Sequence, residues 1–200
     1  MQGIRAFDRK RTLIFIIVPV LLFALLLAAD LITKYFAREN EVNAVVIDNF
    51  FYLSFTLNSG AAFSFLANKE WGQTLFLILT PVALIAFSLF FVFAVKKGYK
   101  WLCYSLVLVI AGTVGNFIDR VASGKVVDFL SFKFGSYYFP TFNVADICLT
   151  VGVIMLIAHF CFFDANAIFK KKSAAANTDA SVAGGEEDKT ADGDNADDKR

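Results

Sequence analysis

The sequence predicts an all-α membrane protein, four transmembrane helices carrying a small extracytoplasmic sheet, and three observations predict it. Four apolar runs each approach the ~20 residues that cross a ~30 Å hydrocarbon core at about 1.5 Å per residue. Hydrophobic residues make up 58% of the 200-residue chain against 18% charged, with a mean hydropathy of +0.61. A soluble domain is about 45–50% apolar and about 25% charged. Lysine and arginine also cluster at alternate connections, as the positive-inside rule requires of a multi-pass chain. These figures exclude an ordinary soluble enzyme and a disordered or collagen-like chain.

The first run, Thr12 to Ala29, closes in LLFALLLAA behind Arg5, Arg9, Lys10 and Arg11. That outline also describes a signal peptide, whose apolar region is usually about 7–15 residues. This run is longer, further spans follow, and Asp30 and Lys34 sit just past its end, so it reads as a retained helix over 12–36. In VNAVVIDNFFYLSFTL the β-branched and aromatic residues suit strands, and LNSGAAF carries turn chemistry. The second run, 74–95, leads through Lys96, Lys97 and Lys100 into the third, 101–118. The stretch KVVDFLSFKFGSYYFPTF repeats the extended, aromatic character. The fourth run, Ile147 to Phe163, gives a helix over 147–169, closed by Lys170, Lys171 and Lys172.

Inside hydrocarbon each backbone polar group needs an internal partner, so the runs are helices, and Pro19 and Pro81 are tolerable within them. The basic clusters place both termini in the cytoplasm, and segments 35–73 and 119–146 then face outward. Residues 1–172 form the membrane domain. The net charge of +1 hides a division, because residues 173–200 carry eight acidic and three basic side chains. This tail has no leucine, isoleucine or aromatic residue and is expected to be a disordered, acidic, cytoplasmic extension.

Little chemistry survives exclusion. The single histidine, His159, lies roughly 20 Å along the fourth helix from Asp146, toward the cytoplasm. A zinc-protease helix or an outward Ser-His-Asp triad has no second partner there. Cys103, Cys148 and Cys161 fall inside apolar runs without metal-ligand spacing and read as small hydrophobes. No phosphate loop or nucleic-acid signature is present.

Carboxylates remain. Asp30, Asp119, Asp128 and Asp146 all lie near the outer ends of apolar runs. Ionisable groups in a span cost roughly 2.5–3.5 kcal/mol each at a helix centre and less near the interface, so each needs a reason. Asp30 and Lys34 have the favourable i,i+4 order of a helical ion pair, although contact with substrate or a lipid headgroup is the alternative. In GNFIDR, Asn116, Asp119 and Arg120 share a face if the third helix continues, with Arg120 a partner for Asp119 or another acid, or a group that positions the site. In FNVADICL, Asn143 and Asp146 form a capping-box variant opening the fourth helix. Asp128, between Val127 and Phe129, has no cap to make.

Two carboxyls brought close together share one proton, because both cannot ionise cheaply. The ionised member can take a proton from a water attacking a peptide carbonyl. The protonated member can polarise that carbonyl and then protonate the leaving amine. The helix macrodipole favours charge on Asp146 and so the proton on Asp128, without fixing the order.

The body, about residues 12–165, resembles the bacterial lipoprotein signal peptidases, also called signal peptidase II. The resemblance rests on five ordered motifs: Asp30-Leu31-Ile32-Thr33-Lys34; LNSGAAFSF with Asn58 and Gly60; GNFIDR with Asn116, Asp119 and Arg120; VVDF with Asp128; and FNVAD with Asn143, Ala145 and Asp146. No motif position departs from the family pattern, and the acidic tail lies outside it. The resemblance implies an intramembrane aspartic endopeptidase that cuts diacylglyceryl-modified prolipoproteins before the lipidated cysteine. Asp128 and Asp146 would be the catalytic pair. Asn58, Gly60, Asn116, Arg120 and Asn143 would line the site, with Asp30, Lys34, Asp119 and Ala145 in support. It further implies a four-helix bundle with an extracytoplasmic β-cradle, no metal and no cofactor. The implied partners are prolipoproteins and membrane lipids, with no nucleic acid, for a monomer in the bacterial plasma membrane whose site is near the extracytoplasmic face.

Two other readings compete. A serine-lysine peptidase would use Lys34 as base for Ser54, Ser59 or Ser64, but Asp30 one turn away favours a charged Lys34. A proton-coupled transporter would hold its carboxylates near the bilayer midplane, whereas these cluster at one face.

Overall fold

A computed structural model describes residues 9–60 and 71–164. A long helix α1 (Arg9–Glu39) leads into strands β1 (Asn43–Ile47) and β2 (Phe51–Asn58). Helices α2 (Gly72–Lys97) and α3 (Lys100–Ser123) follow, then strands β3 (Val126–Phe134) and β4 (Tyr137–Tyr138). Helix α4 (Val144–His159) passes into a π-helical turn at Phe160–Asp164. Four helices among the described residues are long and apolar enough to cross a membrane. The chain divides into a body, Met1–Ile157, and a second unit from Ala158, in which the His159 and Phe160 rings meet edge-on at 5.7 Å.

The helices outrun the apolar runs. Helix α1 continues to Glu39 and α3 to Ser123, so Tyr35–Glu39 and Asp119–Ser123 are helical. Polar side chains on these turns face one another, which removes the need to stop at the end of the apolar stretch. The stop for α3 is Gly124, whose φ of 71° is a left-handed conformation that glycine adopts without steric cost. Helix α4 begins at Val144, three residues before the expected start, because Asn143 caps it. Residues 165–169, the three lysines that follow and the acidic tail lie outside the described residues, as do Arg5 and the segment 61–70 with Ser64.

Pro19 lacks an N–H, and α1 widens into a π turn at Leu13–Ile17 just before it, where the Tyr104 hydroxyl of α3 donates to the Ile14 carbonyl at 3.2 Å. Helix α3 is the central one. Of its most apolar stretch 56% is buried, against none of the corresponding stretch of α2. Leu102, Cys103 and Leu106 of α3 form a core with Phe15 and Ala94.

The four strands form one antiparallel sheet in the order β1-β2-β3-β4. Ala37 of α1 packs under Val127 and Phe129 of β3, which seats the sheet on the end of α1. A bridge between Leu130 and Phe142, with hydrogen bonds of 2.8 and 3.0 Å, ties the chain entering α4 to the middle of β3.

Candidate functional site

Strand register brings the first two polar groups together. Asn58 pairs with Val126 across β2 and β3, and Thr56 pairs with Asp128. Strand side chains alternate, so Asn58 and Asp128 share a face as diagonal neighbours. Asn58 Nδ2 donates to Asp128 Oδ2 at 2.9 Å, and the Gly60 N–H donates to Asn58 Oδ1 at 2.9 Å, which fixes the amide's orientation.

Helix contact supplies the other half. A Cβ on Gly112 would strike the Ala145 carbonyl, and one on Gly115 would strike the Asp30 carboxylate and approach the Ala145 methyl to 3.2 Å. The absent side chains let α3 and α4 approach until Asn116 Nδ2 donates to Asp146 Oδ1 at 2.8 Å. Close approach through small residues is a common way for membrane helices to pack.

Asn143 joins the halves. The Phe142 bridge sets it beside Asp128, and its Nδ2 donates to Asp128 Oδ1 at 2.7 Å, with further contacts to Asn116 Oδ1 and the Val127 carbonyl. Its Oδ1 accepts the Asp146 N–H at 2.9 Å, and its own N–H donates to Asp146 Oδ2 at 3.3 Å. The capping box expected from FNVAD therefore forms, and Asp128 stands on its far side.

Behind this pair lies a buried ionic cluster. Lys34 Nζ lies 2.8 Å from Asp30 Oδ2 and 3.2 Å from Asp119 Oδ2, and it donates to Asn116 Oδ1 at 2.9 Å. With three acceptors on one ammonium, Lys34 is not a free base for a neighbouring serine. Asp30 Oδ1 accepts the Ala145 N–H at 2.8 Å in the first turn of α4, and Asp119 Oδ2 accepts the Val127 N–H at 3.1 Å.

Arg120 differs from expectation. It pairs with neither Asp119 nor another acid by direct contact; its guanidinium donates to the Gly60 carbonyl at 3.0 Å and lies 4.7 Å over the Phe76 ring. Consecutive helix residues point about 100° apart, so Asp119 turns to Lys34 and, at 3.9 Å, to Arg38.

A cavity of about 750 Å³ opens onto the site. Asp128, Asp146, Asn58, Asn116 and Arg120 line its polar end, while Phe139 and the α4 residues Ile147 and Val151 contribute an apolar wall. Asp30, Lys34 and Asp119 stand behind it and do not line it. Burial pushes the Asp128 carboxyl up to about 6, and the nearby Asp146 charge adds to this, while the amides of Asn58 and Asn143 and the Lys34 ammonium oppose it.

Sequence reasoning missed Gly112, Gly115, Phe142, Arg38 and Gln73, whose Nε2 donates to the Ser59 carbonyl. The small-xxx-small spacing of Ala111 and Gly115 was a readable signal of close helix packing. Nothing local marks Phe142 or Gln73.

Comparison with known proteins agrees with this architecture. Residues 22–162 match the family described as signal peptidase (SPase) II. A lipoprotein signal peptidase of Symbiobacterium thermophilum is 39% identical over 145 residues, covering 70% of this chain and 91% of the relative. One from Francisella tularensis subsp. novicida is 39% identical over 159 residues, covering 76% and 93%. A solved structure described as a bacterial membrane enzyme superposes with a TM-score of 0.68 at 35% identity, over 76% of this chain and 92% of that one.

Proposed function

The chain belongs to the signal peptidase II family, and from that premise we propose that it is an intramembrane aspartic endopeptidase that removes signal peptides from diacylglyceryl-modified prolipoproteins, cutting before the lipidated cysteine. The observation that carries this reading is the approach of Asp128 and Asp146 to one cavity, each hydrogen-bonded to Asn143.

The chemistry follows from the environments. Asp128 is 2% exposed, and burial pushes its carboxyl up to about 6, which favours it as the acid of the pair. Asp146, at the N-terminal turn of α4 where the macrodipole favours an anion, serves as the base. A water between them attacks the scissile carbonyl carbon and gives its proton to Asp146, while the Asp128 proton moves onto the carbonyl oxygen. The tetrahedral diol collapses as Asp146 returns its proton to the leaving nitrogen and Asp128 recovers the hydroxyl proton. The C–N bond breaks and the dyad is again singly protonated. The pair contributes about 10²–10⁴-fold as general acid and base. Asn58, Asn116 and Asn143 orient the carboxyls. The Arg120 guanidinium, at the polar end of the cavity, would meet the substrate's peptide groups.

The apolar wall along α4 suits a signal peptide arriving by lateral diffusion. The basic residues Arg9, Lys10, Arg11, Lys96, Lys97 and Lys100 support cytoplasmic termini and a site toward the extracytoplasmic face. The test is cleavage by the purified chain in detergent or lipid, with products mapped by mass. A diacylglyceryl-modified precursor is expected to be cut immediately before its modified cysteine, and the unmodified precursor left intact. Equal cleavage of both would refute the substrate assignment.

A further inference from the structure

We infer that Lys34 is a positioning residue for the reaction: its buried ammonium fixes the orientation of the Asn116 amide, and through that amide keeps the dyad's negative charge on Asp146. The inference rests on the dyad reading above and adds a cause for its polarity.

An ammonium donates and never accepts. Lys34 Nζ is 2.9 Å from Asn116, so the atom of Asn116 facing it is the oxygen. The Asn116 Nδ2 is thereby turned the other way, onto Asp146 Oδ1 at 2.8 Å. Asn143 Nδ2, 3.1 Å from the same Asn116 oxygen, holds the same orientation. The second Asp146 oxygen accepts the Asn143 N–H. Both oxygens of Asp146 therefore accept from N–H groups, an arrangement that suits a carboxylate. Without the ammonium, only the longer 3.1 Å contact from Asn143 opposes rotation of the Asn116 oxygen toward Asp146. Two oxygens then face each other, and the contact is favourable only when a proton sits between them.

Charge balance points the same way. The charged groups around the dyad are Arg120 of α3, which lines the same cavity, and Asp30, Lys34, Arg38 and Asp119, which form the cluster behind it. Lys34 and Arg38 pair with Asp30 and Asp119. Arg120, unpaired by direct contact with an acid, lies within electrostatic range of Asp128 and Asp146. One negative charge on the dyad closes the balance.

The experiment uses the full chain in detergent with the lipidated precursor, following kcat and KM from about pH 5 to about pH 9. Lys34→Met is made together with Asp30→Asn, so that Asp30 is not left as an unpaired buried charge; Asp119 loses its 3.2 Å contact with Lys34 but keeps Arg38 at 3.9 Å, and an amide oxygen still accepts the Ala145 N–H. Asn116→Leu is the second variant: it preserves size and removes the N–H donor to Asp146 without adding a charge beside the dyad. Both are expected to keep KM within about twofold and lower kcat about tenfold or more near neutrality, within the range of general acid–base effects. Both are also expected to move the acid limb of the kcat profile, a property of the carboxyl pair, about one unit toward higher pH. An unmoved acid limb in either folded variant overturns the inference, whatever the fall in rate. If the double variant does not fold, Asn116→Leu decides alone. Asp146→Asn runs beside them: full cleavage by it would sink the dyad reading itself, whereas its inactivity with unmoved limbs in the other variants sinks only the role of Lys34.

Discussion

Asn143 and Asp146 cap one another across the first turn of α4, with the Asp146 N–H on Asn143 Oδ1 at 2.9 Å and the Asn143 N–H on Asp146 Oδ2 at 3.3 Å. A capping box ordinarily serves only to satisfy the unpaired N–H groups that open a helix. Here the same amide reaches back to Asp128 with its nitrogen. The start of the helix and the geometry of the carboxyl pair are thus one construction.

That dual use can be separated by mutation. Ser also caps helices, so Asn143→Ser keeps an acceptor for the Asp146 N–H but loses the donor to Asp128. The expected result is a fall of about 100-fold in kcat, with a stability loss of about 1–3 kcal/mol from the buried acceptors left unmet. Asn143→Ala is expected to lose about 1 kcal/mol more, the contribution of the cap. Activity and thermal unfolding measured side by side check both.

Asp128 makes stability depend on pH in an unusual direction. Its carboxyl is raised from 3.8 to about 6, so between those values the native chain holds a proton that the unfolded chain has released. Stability attributable to Asp128 is therefore full below about pH 4, falls as pH rises to about 6, and is flat above. Asp128→Asn removes this slope, and the variant is expected to unfold at a higher temperature than the parent at about pH 8. Parallel melting curves from about pH 4 to about pH 8 would contradict the burial argument.

The glycine inside α3 and the glycine that ends it should respond differently. Gly115→Val drives a side chain into Asp30 and Ala145, separating α3 from α4. It is expected to cost about 1–3 kcal/mol or more and to abolish cleavage, because Asn116 loses Asp146. Gly124→Ala meets nothing within 4 Å but must hold a φ of 71°. Its expected cost is about 1–2 kcal/mol, with cleavage retained. Melting temperature and specific activity of the pair distinguish packing from backbone conformation.

Much of this arrangement is legible in local sequence. The four helices follow from hydropathy, the strands from β-branched and aromatic runs, and the cap from FNVAD, because each depends on neighbours within a few residues. The i,i+4 pair of Asp30 and Lys34 is legible for the same reason, and forms. What the sequence hides is contact between distant segments. The bridge from Leu130 to Phe142 and the partnership of Asp119 with Lys34 join separate elements, and no periodicity announces them. The expected pairing of Arg120 with an acid failed because the guanidinium instead reaches the Gly60 backbone at the end of β2. Helices run past the apolar stretches where polar side chains on adjacent helices satisfy one another, since hydropathy marks the limit of grease and not of helix.

The most direct measurement is the cleavage rate of the lipidated precursor by Asp128→Asn and Asp146→Asn, each nearly isosteric with the parent and each checked for folding by size-exclusion and thermal unfolding. Each single change is expected to lower the rate by at least about 10²-fold, within the general acid–base range, with KM little altered. A folded variant of either kind that cuts within about tenfold of the parent would contradict the two-carboxylate mechanism.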